Sequence, residues 1–178
     1  SLTYSLGSGG NGTYYARVSG VGGSWGLRSQ YVLNLALDDT VAPVVSGGQI
    51  GNGYSTMGLV SGLVTNLFLD RFSLTFSEDL VAGTVNAVGN YDLRAAGLDG
   101  EFGSGDDEVY GVGAPSPAYV SGLSSGVYWV TNGPLQMGRY RLTVSGLKDV
   151  AGNELAAPFV REFEVVGVSE YVAENRTN

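Results

Sequence analysis

Cysteine and histidine are both missing from the 178 residues. Their absence excludes a thiol nucleophile, a Ser-His-Asp triad, a histidine general base and an ordinary zinc site. It also excludes a disulfide framework. Positive charge is scarce: Lys and Arg together number 9 against 17 Asp and Glu, for a net charge of -8. Such a chain has no cationic surface with which to displace counterions, so a nucleic-acid partner is not expected. No apolar run reaches the roughly 18 residues of a spanning helix, so no membrane insertion is expected. Residues 1–10 lack the basic start and apolar middle of a signal peptide. The chain is expected to be a piece of something longer.

What is abundant is glycine, with 29 residues, and tyrosine, with 11. Hydrophobic residues make up 43% of the chain, enough to bury a core at this length. No window sustains a helical period. The patterned stretches alternate with period two, the signature of half-buried strands. Residues 13–18 and 31–37 alternate in this way, and the Gly- and Ser-rich stretch 19–30 between them reads as a hairpin loop. Residues 69–77 place Phe72, Leu74 and Phe76 on one side and Arg71, Ser73, Thr75 and Ser77 on the other. Further strands are expected at 81–85, 90–95, 108–112, 118–123, 126–131, 139–145 and 160–166. Tyr140, Leu142, Val144, Val160, Phe163 and Val165 are expected in the core, and 49–62 as a loop with a short strand. About seven short strands separated by turn residues predict an all-β, antiparallel Ig-like β-sandwich carrying an N-terminal β-hairpin.

The expected organisation has three parts. Residues 1–39 form a partial module, 40–167 the sandwich, and 168–178 a linker or the start of a next module. The boundary rests on Asp38-Asp39-Thr40-Val41-Ala42-Pro43, where acidic residues and a proline end a strand and stiffen a junction.

Two resemblances add to this reading. Residues 43–166 resemble a bacterial Ig-like domain of the kind repeated in large surface proteins. The resemblance rests on the acidic, proline-bearing start, then Phe72-Ser73-Leu74-Thr75-Phe76-Ser77-Glu78. It continues with Gly138-Arg139-Tyr140-Arg141-Leu142-Thr143-Val144 and the Asp149-Val150-Ala151-Gly152-Asn153 turn. Residues 12–20, with a last strand at 31–35, are similar to the end of a bacterial pre-peptidase C-terminal domain, whose first half is missing. The resemblances imply non-catalytic accessory, adhesive or spacer roles outside the cell.

The strongest chemical signal is the loop 97–108. Asp99, Glu101, Asp106, Asp107 and Glu108 fall within ten residues, interleaved with glycines. Calcium takes six to eight oxygens from a chain that folds back on itself, and glycine permits the turns. Calcium is therefore the expected cofactor, with these five carboxylates as metal ligands. The loop also resembles a calcium-binding turn of secreted bacterial repeat proteins. It is not an EF-hand, because the Asp-x-Asp-x-Asp-Gly spacing is missing. A solvated acidic hairpin tip is the alternative. Asp38 and Asp39 at the junction form a possible second site, or else simply end a strand. Asp149, beside Gly152-Asn153, reads as a turn residue.

Glu78 and Asp79 are the candidates for paired catalytic carboxylates. Neighbours in a strand point to opposite faces, and nothing in the pattern builds a cleft, so no enzyme activity is expected. Trp25, Tyr54, Tyr119, Tyr128 and Trp129 are either core or a sugar-stacking platform, with Trp25 and Tyr54 best placed for exposure. The expected function is a non-catalytic, calcium-binding spacer of a secreted or surface-attached bacterial protein, with neighbouring modules as its partners. An adhesive module for carbohydrate or another surface polymer is the alternative.

Overall fold

The structure is a computed structural model and describes residues 14–17 and 39–167. The chain divides into two compact units, Ser1–Ala36 and Leu37–Asn178. The strands expected at 13–18 and 31–37, together with Trp25, Asp38 and the tail 168–178, lie wholly or largely outside the described residues. The described architecture belongs to the second unit.

Among the described residues, nine strands form two sheets and helix is confined to single turns, so the unit is an all-β sandwich. The first sheet holds β1 (Val45–Gly51), β2 (Thr56–Gly58), β4 (Arg71–Phe76) and β7 (Ser125–Trp129), in the order β2-β1-β4-β7. The second holds β3 (Leu63–Thr65), β5 (Tyr91–Ala95), β6 (Glu108–Tyr110), β8 (Gly138–Val144) and β9 (Phe159–Val165), in the order β3-β9-β8-β5-β6. Every pairing is antiparallel except that of β3 with β9.

The alternation read from the sequence sets which faces meet. Phe72, Leu74 and Phe76 of β4 are buried, as are Tyr140, Leu142 and Val144 of β8. Phe72 lies opposite Tyr128 of β7, and the two rings stack with centroids 5.1 Å apart. A buried hydroxyl must be partnered. The Tyr91 hydroxyl accordingly lies 2.7 Å from both the Val85 carbonyl and the Tyr128 hydroxyl. The edge of β7 is covered by the chain beyond β6, since Gly113 and Ser116 donate to the Trp129 and Val127 carbonyls.

Several expected elements are corrected. Residues 81–85 are not a strand. Val81 donates to the Lys148 carbonyl, and Thr84 and Val85 both donate back to Val81, closing the single turn α1 (Ala82–Val85). Residues 118–123 are not a strand either. The Asn86 side chain accepts from the Tyr119 N–H and donates to its carbonyl, taking the place of a neighbouring strand. The stretch 49–62 carries most of a hairpin, β1 and β2, and leads into β3. Val160 is exposed rather than core. It lies opposite Thr143, whereas Phe159, Phe163 and Val165 share the inward parity of the ladder with β8.

The strand directions give the sandwich two distinct poles. β1 descends from Val45, opposite the end of β4, to Gly51, and β9 descends from Phe159 to Val165, opposite Gly138. The sheets share these poles: Val81 donates to Lys148 at the upper one, and Leu135 donates to Leu69 at the lower one. The chain thus comes in at one end of the sandwich and leaves at the other.

Candidate metal centre

The upper pole is built from three segments far apart in sequence. The leading segment carries Asp39 and is tied to the end of β4 by two hydrogen bonds, from Val44 N–H to the Ser77 hydroxyl and from Ser77 N–H to the Val44 carbonyl, both 3.0 Å. Glu78 comes immediately after. Asp149 sits in the turn after β8 and is fully buried. This turn behaves as the sequence suggests. Asn153 donates its backbone N–H to Asp149 Oδ1 and its side-chain amide to Oδ2, each at 2.8 Å. The same amide also lies 2.8 Å from the Asp39 carbonyl and 3.4 Å from that of Val41, so the turn grips the leading segment.

This folding brings one carboxylate oxygen each of Asp39, Glu78 and Asp149 within 4.8 Å of one another. No ion pair among the described residues involves any of the three. Burial pushes the Glu78 carboxyl above its usual range, and the charges of Asp149 and Asp39 push it further, against a smaller opposing pull from Ser77. Burial also works against ionised Asp149, but the Asn153 side chain and the N–H groups of Asn153, Gly152 and Ala151 hold its carboxyl below the usual range. Three oxygens no farther than 4.8 Å apart can all lie within about 2.8 Å of one point. That is close to the roughly 2.3–2.6 Å of calcium–oxygen contacts. The donor set, hard oxygens only, suits calcium or magnesium. Asp39 stands out in the sequence as a candidate ligand. Glu78 and Asp149 read there as a strand end and a turn, because nothing in a linear pattern places residues 39, 78 and 149 side by side.

The acidic loop is the hairpin connection between β5 and β6, where Ala95 pairs with Glu108. Its aspartates turn onto its own backbone. Asp99 accepts from Glu101 N–H and Asp107 from Gly103 N–H, each at 2.8 Å. Asp106 accepts from the Ser104 hydroxyl and from Leu98 N–H, which together hold its carboxyl below the usual range. Gly97 has a φ of +61°, and a Cβ there would lie 2.5 Å from the Asp106 carboxylate. Glu101 and Glu108 are exposed. Arginine counters part of the charge: Arg139 donates to the Gly100 carbonyl at 2.6 Å, and the Phe102 ring lies under Arg141 at 4.1 Å and Arg139 at 5.6 Å. One polar atom is left over. Asp107 Oδ1 is buried without a hydrogen-bond partner. An orphaned carboxylate oxygen can accept a cation, but among the described residues no three carboxylates of this loop converge as those of Asp39, Glu78 and Asp149 do, and the charge of Arg94 acts on Asp107.

The remaining candidates have structural roles or none. Asp79 accepts from the Ser121 hydroxyl and from Gly122 N–H and lies 3.0 Å from the Tyr119 hydroxyl, so it pins the 119–123 loop. Tyr119 and Tyr128 are core, Tyr54 is 91% exposed, and Trp129 is partly covered by the Arg71 guanidinium. No described helix is long and apolar enough to cross a membrane.

No protein-family model and no curated protein matches the chain. Solved structures with some likeness are those of the bacterial surface-layer protein SbsC. A structure of its domains 1–6 shares 16% identity over 71% of this chain, with a TM-score of 0.45. A structure of residues 31–844 shares 17% over 71%, with a TM-score of 0.44. A structure of the N-terminal part shares 18% over 60%, with a TM-score of 0.42. The chain spans 14%, 14% and 23% of the length of those three. At this identity and superposition, the likeness carries no inference about role.

Proposed function

We propose that this chain is a non-catalytic structural module that binds calcium, part of a secreted or surface-attached bacterial multidomain protein whose neighbouring modules are its partners. The observation that carries the reading is the convergence of Asp39, Glu78 and Asp149, uncompensated by any described ion pair, where the chain comes into the sandwich. A divalent cation there would cancel the mutual repulsion and bind the leading segment to the ends of β4 and β8. It would stiffen the joint with whatever precedes. The acidic loop is the second proposed position, with Asp99, Glu101, Asp106, Asp107 and Glu108 as ligands and the unpartnered Asp107 Oδ1 as its support.

The test is a thermal melt in EDTA, in millimolar calcium and in millimolar magnesium. Calcium at 100 times its Kd adds about 2.7 kcal/mol to a folded state that alone binds it. The expected result is a rise in Tm with calcium beyond any rise with magnesium. A rise about halved in Glu78→Gln assigns it to the upper pole, and a rise reduced in Asp107→Asn assigns it to the loop. An unchanged Tm in calcium overturns the calcium reading.

A further inference from the structure

We infer that Asn52 is a site of spontaneous deamidation promoted by the fold, in which the Gly53 nitrogen closes on the Asn52 side-chain amide and expels ammonia. Two asparagines among the described residues precede a glycine, Asn52 and Asn132. The fold treats them differently. Asn52 opens the tip of the β1–β2 hairpin at the lower pole, where its N–H donates to the Ser55 carbonyl at 2.9 Å.

The Asn52 carboxamide is held at both ends. Its Oδ1 accepts from Tyr54 N–H at 2.8 Å and from Ser55 N–H at 2.9 Å, and its Nδ2 donates to the Phe68 carbonyl at 2.9 Å. Attack on Cγ sends negative charge onto Oδ1. Two backbone N–H groups already point at that atom, at the spacing of an oxyanion site. The nucleophile is equally well placed. Gly53 is exposed, and its N–H makes no hydrogen bond to another described residue. It has no side chain to crowd the ring closure. Asn132 lacks this arrangement. Its Oδ1 accepts one N–H, from Gly111 at 2.7 Å, and the Gly133 N–H is spent on the Val130 carbonyl at 3.2 Å.

The reaction balances with water alone. Hydroxide takes the Gly53 amide proton and the bond from that nitrogen to Asn52 Cγ forms. The Cγ–Nδ2 bond breaks as Nδ2 takes a proton from water and leaves as ammonia. The product is a succinimide. Water opens it at Cγ to give aspartate, or at the main-chain carbonyl carbon to give isoaspartate. Either product lacks the donor that the Phe68 carbonyl accepts from, and isoaspartate also lengthens the main chain at the hairpin tip. The site lies at the opposite pole from the carboxylate cluster and needs no calcium.

The test is incubation of the full chain at mildly alkaline pH, folded in EDTA and, in parallel, unfolded in guanidinium chloride. Peptide mass spectrometry with fragmentation that separates aspartate from isoaspartate follows Asn52 and Asn132. In the folded protein Asn52 should convert about fivefold or more faster than Asn132, as expected for one additional neutral hydrogen bond to the developing charge. Isoaspartate should be among its products, since only the succinimide yields it. In guanidinium chloride the two rates should converge. Gly53→Ala should slow Asn52 and leave Asn132 unchanged. An alanine Cβ there would meet Arg71 at an ordinary 3.4 Å, on a backbone without a positive φ, so this variant should fold. Conversion of Asn132 as fast as that of Asn52 in the folded protein, aspartate without isoaspartate at 52, or a preference for Asn52 that persists undiminished in guanidinium chloride would overturn the inference.

Discussion

Replacing Glu78 by glutamine should raise the stability of the metal-free protein and shrink the stabilisation that calcium brings. The charge of Glu78 meets those of Asp39 and Asp149 at no more than 4.8 Å. At that distance one pair of charges repels by about 0.9 kcal/mol in a water-like medium and about 3.5 kcal/mol at an effective dielectric of 20. Glu78 is half-exposed, and salt screens the pairs. Removing both contacts should therefore stabilise the metal-free protein by about 1–3 kcal/mol. At about 3 °C per kcal/mol, Tm in EDTA should rise by about 3–9 °C. In calcium the variant gives back part of that gain. Saturation to 100 times Kd adds about 2.7 kcal/mol to the wild type, while a tenfold weaker site gains about 1.4 kcal/mol at the same concentration. The calcium-induced rise in Tm should halve. Paired melts of the two proteins in EDTA and in calcium measure both effects. A Glu78→Gln protein that melts no higher than wild type in EDTA would refute the repulsion argument. An undiminished calcium response would refute the ligand assignment.

Other perturbations should read out the rest of the architecture. Tyr119→Phe removes a buried hydroxyl that accepts from Leu80 N–H at 3.1 Å and lies 2.6 Å from the Leu123 carbonyl. Urea unfolding should show a loss of about 1–3 kcal/mol. The Asp79 carboxyl is held below its ordinary pKa by the Ser121 hydroxyl and then by Gly122 N–H. Its contribution is thus fully present above the unfolded value near 4 and lost as pH falls through the lower folded value, so Asp79→Asn should flatten the acid limb of a stability–pH curve. Gly97→Ala forces a side chain into a φ of +61° and against Asp106. Limited proteolysis should cut its acidic loop faster than that of wild type, with a stability loss of about 1–2 kcal/mol in urea.

The elements legible in the sequence are those whose residues alternate over a long enough run. β4 and β8 carry three inward apolar side chains each, and the structure buries every one. β2 and β3 have only three residues apiece, so the sequence shows no more than a short strand somewhere in 49–62 and misses β3, since a pattern of period two needs more positions to declare itself. Residues 81–85 and 118–123 are rich enough in β-branched and aromatic residues to suggest strands, but their backbone groups find partners in Lys148 and Asn86 instead. The acidic loop is legible as a run of charge, while the way its aspartates fold onto nearby amides is not. The cluster at the upper pole is legible only in part. Asp39, Glu78 and Asp149 each lie in a recognisable local motif, but their meeting depends on the pairing of β1 with β4 and on the bridge between Leu80 and Asp149.

The opposite poles have a mechanical consequence. Tension on the chain through residues 39 and 167 pulls β1 upward along its own axis and β9 downward along its own. The β1–β4 ladder, and both ladders that flank β9, are then loaded in shear. Hydrogen bonds pulled in shear must yield together, whereas those at the end of an unzipping hairpin yield one by one. The parallel β3–β9 pairing adds a second ladder to the strand that would otherwise slide out first. The sandwich is thus wired to resist extension, and a cation joining Asp39 to Glu78 and Asp149 would grip the chain at the point where the force arrives.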